Sequence, residues 1–299
     1  MIPIFYQPWY LDAIIGADSW LPIVYLHGDD PRAIWPIYLK EKWGQRYITL
    51  PPLTPQLGPW YHIDSTAKRT TRLSHIREYL TGLTELLPQH LLLQVHCDPA
   101  LNYWIPMHTA GYQLHQRYTY RISLRDTDDM WADIDTKQRN RIRKAQSSIR
   151  IQLSDDKAVF WELNQMTYDR QDRSMPYSQE YVETWDAVLS ANGSSRLYLA
   201  YVAEQAIAGI YIVHDQRCAY LMAIGSDPAH SDTHAVSSLI WKAIQDYSTT
   251  HAIFDFEGSM IPRIESFFRS FGGVPTSYTR LVHTPNQMVD AALRLIGKL

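Results

Sequence analysis

Phe254-Asp255-Phe256-Glu257-Gly258-Ser259, continuing through Met260 to Phe271-Gly272-Gly273, is the stretch on which the fold turns. Ala252, Phe254 and Phe256 alternate with Ile253, Asp255 and Glu257. That period-two pattern predicts a strand with its rings on one face and both carboxylates on the other. Gly258 allows a sharp turn, Ser259 is a suitable N-cap, and Pro262 fits a first helical turn. Ile264, Phe267, Phe268 and Phe271 then form an apolar helical stripe, which Gly272-Gly273 ends. Ser277 to Val282 reads as a returning strand.

Working outward, three strand-like runs precede this stretch: Arg196 to Val202, Ala206 to Val213 and Cys218 to Ile224. Short polar turns separate them, as in antiparallel hairpins. A loop from Gly225 to His234 and a helix from Val236 to Tyr247 follow, with Leu239, Ile240, Ala243 and Ile244 on its apolar side. An earlier region has the same order: a strand at Leu92–His96, a helix at Leu101–Thr109, a glycine at Gly111, and a strand at Tyr118–Ile122. The shared order of elements points to a duplication, with domains at 1–124 and 125–299. A helix over 286–299 is expected to pack on either half. In the first half Leu21–Leu26 and Ala33–Leu39 read as strands and Leu73–Leu87 as a helix. The prolines of the run from Pro51 to Tyr61 exclude a helix or a central strand. It is expected to be a stiff loop that either presents Trp60 and Tyr61 to a ligand or packs for support.

The chain has 299 residues, enough for two cores, and a formal net charge of −3. That balance excludes general coating of duplex DNA and leaves room for a local basic patch. Two cysteines exclude a disulfide framework or a multi-cysteine metal cluster. No signal peptide and no run long enough to span a bilayer is evident, so a cytoplasmic protein is expected. Five aspartates between Asp126 and Asp135 are followed by Lys137, Arg139, Arg141, Arg143, Lys144 and Arg150. Acid before base matches a helix dipole and predicts one long helix from about Asp128 to Ile149. With no acid between Thr136 and Arg150, its basic flanks are either a solvated face or an anion-binding surface. His230 and His234 stand beside Asp227 and Asp232, but in a proline-broken loop they share no helix face, and no metal is assigned.

Lys137 to Ala145, Ala206-Ile207-Ala208-Gly209, Phe254 to Ser259 and Phe267 to Gly273 together resemble the Fem family. The resemblance extends over nearly the whole chain on short patterns. It implies a mixed α/β (α+β) architecture of two tandem acyltransferase (GNAT-like) domains, with splayed mixed sheets flanked by helices. Members transfer aminoacyl groups from tRNA to peptidoglycan precursors, which implies a transferase connected with the bacterial cell envelope. This chain lacks the heptads of their coiled-coil arm, and the members most like it are general acyltransferases.

The resemblance implies acyl transfer to an amine. Glu257 is the candidate general base and Asp255 the second, and Tyr220 is a candidate donor to the oxyanion or leaving group. A buried, ion-paired structural role is the alternative for both carboxylates, and a core hydroxyl the alternative for Tyr220. Arg139, Arg143 and Lys144 would hold phosphates of tRNA or of a nucleotide- or lipid-linked acceptor. Arg170, Arg173 and Tyr177 would line the same mouth, at a membrane surface if the acceptor is a lipid. Aminoacyl-tRNA and acyl-CoA are the possible donors. The loop Ser226–Val236 has no glycine and carries two aspartates where CoA phosphates would approach, which disfavours CoA. Three readings follow: aminoacyl or acyl transfer to a phosphate-bearing acceptor, CoA-dependent N-acylation of a small amine, and a silent binding protein.

Overall fold

The computed structural model describes residues 2–258, 260–286, 288, 289, 291 and 295. Most of the expected C-terminal helix and the Ser259 cap lie outside the described residues. The chain forms two compact units, Met1–Arg117 with Ser277–Leu299, and Tyr118–Thr276. The sequence alone had placed the division at 124/125.

The first half runs α1 (Pro8–Ile15), β1 (Trp20–His27), β2 (Asp30–Lys42), β3 (Gln45–Thr49), β4 (Trp60–Tyr61), α2 (Arg69–Glu85), β5 (Leu92–His96), α3 (Ile105–Thr109) and β6 (Gln113–Ser123). Next come α4 (Thr127–Asp133), α5 (Thr136–Gln146), β7 (Arg150–Ser154), α6 (Lys157–Asp169) and α7 (Gln179–Ala191). The chain continues with β8 (Ser195–Val202), β9 (Gln205–His214), β10 (Cys218–Ser226), α8 (Ala235–Tyr247), β11 (Ile253–Asp255), α9 (Pro262–Arg269) and β12 (Val274–His283).

Each unit builds its sheet the same way. In the first, β1, β2 and β3 form an antiparallel meander, β5 runs parallel to β3, and β12 lies antiparallel on β5. In the second, β7 to β10 form the meander, β11 runs parallel to β10, and β6 lies antiparallel on β11. The strand beyond the parallel one therefore comes from the other half of the sequence in both units. Local order had predicted the returning strands, but not which parallel strand each would join.

Alternation works as expected. Phe254 and Phe256 point into a core with Ile142, Ile210, Leu239 and Ile244, and Phe256 stacks on Phe268 with centroids 4.9 Å apart. Each buried ring contributes about 1.5–3 kcal/mol. In the first unit Trp35, Leu80, Leu93 and Val95 do the same with Leu281 of β12.

Two expectations are corrected. The single long helix is two helices broken at Ile134–Asp135. Asp126 caps α4 by accepting from the Asp128 N–H, and Asp135 caps α5 by accepting from the Lys137 N–H at 2.7 Å. Ile134 between them is extended and buried, so core anchoring and a cap prevail over charge order. The proline-rich loop packs for support: Leu57 and Gly58 donate to the His96 carbonyl, and Trp35 Nε1 donates to the Leu57 carbonyl. Tyr61 is not an exposed ring but a core residue in edge contact with Trp104, and Trp60 is half-buried on β4.

Candidate active site

β10 and β11 pair only over Cys218–Tyr220 and Ile253–Asp255, although β10 runs on to Ser226. Beyond Tyr220 the pairings of β10 are to β9, with an irregularity between Leu221 and Ala223. The two parallel strands thus part at their carboxyl ends, where Glu257 and Gly258 follow β11. Open α/β sheets bind ligands in crevices of this kind.

Asp255 is 2% exposed and accepts three hydrogen bonds, from the Thr119 hydroxyl, Arg121 Nε at 2.6 Å and the Glu257 N–H at 2.9 Å. Burial opposes charge on Arg121, but the adjacent Asp255 carboxylate outweighs it and raises the guanidinium pKa. The structural alternative describes Asp255: its lone pairs are committed to holding the turn. Thr119 Oγ1 also accepts from the Gly258 N–H at 3.0 Å. A Cβ at Gly258 would lie 2.2 Å from the Tyr118 carbonyl oxygen, so only glycine fits against β6.

Glu257 differs in kind. Its φ of +55° is uncommon for a non-glycine residue and costs roughly 1–3 kcal/mol, and the Asp255 carboxylate holds it there by accepting its N–H. Among the described residues no hydrogen bond reaches its carboxyl. Burial, reinforced by the negative charge of Asp255 and opposed by Arg121, pushes the Glu257 pKa well above the usual carboxylate range. A carboxyl so lifted holds a proton more readily than an ordinary carboxylate, as a general base must.

The Tyr220 hydroxyl donates to Asp215 Oδ2 at 3.1 Å, in the turn that precedes β10. The basic residues divide. Arg139 donates to the carbonyls of Trp131 and Ala132, closing the end of α4, and Arg143 lies over the Trp131 ring at 5.4 Å. Lys144 instead reaches the Asp232 carbonyl at 3.3 Å, in the loop that opens α8. His234, the N-cap of α8 at φ +55°, has its pKa lowered by burial and then by the charges of Arg141 and Lys144. Arg141 and Lys144 therefore stand at the start of α8, where helix amides favour an anion. Asp227, expected to repel phosphate there, is turned into its own loop: it accepts from the Ala229 N–H and faces His230 Nδ1 at 3.0 Å. Arg170 and Arg173 are exposed, and Tyr177 stacks with Tyr181 beside Trp161. No grouping of three or more ligands suited to a metal ion exists among the described residues.

Residues 135–259 match the acetyltransferase (GNAT) domain family. The structure of FemX superposes with a TM-score of 0.69 at 12% identity, over 96% of this chain and 93% of that one. The chain has the fold of FemX. The C-terminal domain of a putative lysylphosphatidylglycerol synthetase from Agrobacterium fabrum aligns over 98% of this chain and 92% of its own (TM-score 0.56, 11% identity). A tandem GNAT protein from the clavulanic acid biosynthesis pathway aligns over 88% and 82% (TM-score 0.50, 10% identity). No curated protein sequence matches the chain. No helix among the described residues is long and apolar enough to cross a membrane.

Sequence reasoning missed Arg121 and Thr119, which sit 134 and 136 residues from Asp255. Their strand was legible, but its partner was not. Helical pitch had set Arg141 and Lys144 on one flank, but only Lys144 of the two was assigned to phosphate.

Proposed function

We propose that the chain transfers an acyl or aminoacyl group to an amine on a phosphate-bearing acceptor, with Glu257 as general base. The observation that carries this reading is the Glu257 carboxyl: half-buried, lifted in pKa, without a hydrogen bond among the described residues, and set where β10 and β11 part. A neutral amine attacks the acyl carbonyl and forms the C–N bond. Glu257 takes one amine proton, directly or through water, and the C–O or C–S bond to the donor breaks as the leaving group gains a proton. Asp255 and Arg121 position Glu257 rather than react. Arg141 and Lys144 with the first turn of α8 would receive phosphate, and Arg139 and Arg143 stiffen the helix that carries them. The likeness to a lysylphosphatidylglycerol synthetase domain supports a lipid-linked acceptor.

CoA-dependent N-acylation is the second reading. It is favoured by the inward turn of Asp227, which removes much of the repulsion that the sequence had suggested.

A thermal-shift panel of acetyl-CoA, aminoacyl-tRNA, nucleotide-linked peptides and anionic lipids separates the two. Stabilisation by a phosphate-bearing acceptor, lost in Arg141→Ala with Lys144→Ala, supports the first. Stabilisation by acetyl-CoA alone selects the second, and no stabilisation by any of them defeats both.

A further inference from the structure

The first unit contains a cavity of about 160 Å³ that the acyl-transfer site does not use, between the ends of β1 and β4, the start of β2 and the first half of α2. Its polar lining is His27, Arg32, His62, Asp64, Arg72 and His75. Two guanidinium groups and three imidazoles thus face one carboxylate.

That carboxylate is already engaged. Asp64 accepts from both the N–H and the hydroxyl of Thr66, at 2.9 and 2.7 Å. The neighbouring Glu78 accepts from the Tyr25 hydroxyl and lies 3.2 Å from His27 Nδ1. Arg32 places Nη2 on Asp30 at 2.9 Å, yet its Nε is buried with no hydrogen-bond partner among the described residues. An unmet donor on a charged, half-buried group is unusual and suggests a missing acceptor. Arg72 pairs with no carboxylate among the described residues.

The adjoining helix adds an independent observation. α2 has no acidic residue in its first turn and no side-chain cap. Lys68 is its N-cap residue, with Arg69 and Arg72 following. Cations crowd the positive end of a 17-residue helix, the reverse of the stabilising arrangement. An anion bound in the cavity would offset the surplus charge and meet the Arg32 donor. The guanidinium forks suit a phosphoryl group, and Ile76 with Tyr79 offers an apolar wall for a small organic body.

We infer that the first unit holds a second ligand site, an oxyanion pocket for a compact phosphorylated molecule, distinct from the acyl-transfer crevice and independent of the activity proposed for it.

The test uses the full chain carrying Arg141→Ala and Lys144→Ala, so that phosphate cannot report from the start of α8. Proton NMR follows the ring signals of His27, His62 and His75 during titration with inorganic phosphate, glycerol 3-phosphate and acetate. Expected are shifts of all three rings along one saturating curve with the two phosphates. Arg32→Ala combined with Arg72→Ala should weaken binding at least tenfold. If that pair fails to fold, Arg72→Gln alone should weaken it severalfold. Rings that do not move, equal affinity in the arginine variants, or acetate binding as tightly as phosphate would each overturn the proposal.

Discussion

The two units have the same strand order but different chemistry at the ends of their parallel strands. Writing the sequence echo Leu92–His96 over Ile253–Glu257 sets Gln94 against Asp255 and His96 against Glu257. In the second unit a buried carboxylate binds the Arg121 guanidinium. In the first, Arg280 donates to the Gln94 amide at 2.8 Å. His96 turns Nδ1 to the Pro55 carbonyl at 3.0 Å, and burial lowers its pKa to about 4, so that it stays neutral. One frame thus carries carboxylates at one strand end and an uncharged amide and imidazole at the other. A shared scaffold fixes position, and substitution at two alternating sites decides whether that position has a proton to move.

The largest effect should come from breaking the charged pair. Arg121→Ala strands Asp255 in the interior and should cost about 3–5 kcal/mol in urea unfolding, whereas Arg280→Ala, which takes a donor from the Gln94 amide rather than from a carboxylate, should cost less. Equal losses would erase the distinction between the units. Next, Glu257→Gln should lower acyl transfer by roughly 100-fold or more, while His96→Gln leaves the rate unchanged. The same Glu257 substitution should raise thermal stability at pH 7. A carboxyl whose pKa is raised by folding contributes stability below its unfolded pKa and loses it as pH rises through the folded value. Activity lost together with stability would instead mark Glu257 as a structural residue.

Histidine titration sharpens the comparison from the other side. Burial holds His96 in the first unit and His214 in the second at pKa values of about 4. Their folded values lie below the unfolded one, so stability is complete above about pH 6.5 and is lost as pH falls towards 4. The loss should be on the order of 2–3 kcal/mol for each, and His96→Gln should remove the share of the first unit. At Gly258, Ala should destabilise by about 1–3 kcal/mol or more through collision with the Tyr118 carbonyl. Ala at Gly111, which has open space but φ +90°, should pay only for the backbone.

Much of the architecture was legible in the residues. Alternation at Phe254 and Phe256, the apolar stripe of α8 and the three hairpin strands each follow from local periodicity, which a single strand or helix expresses unaided. The break at Asp135 was legible too, as an Asx cap before a helix, but the charge order masked it. Of the site, Glu257 was found because strand alternation put two carboxylates at a strand end. Sequence could not say that one of them is spoken for.

The sequence by itself determined most of the elements, because side-chain periodicity and turn residues act over a few positions, while the fold class followed from their order and the resemblance to the Fem family. Only the tertiary structure decided that β12 serves β5 and β6 serves β11, since strand pairing joins residues more than 100 positions apart and leaves no local mark. That exchange brings Thr119 and Arg121 to Asp255, and through Asp255 sets the backbone and the charge state of Glu257.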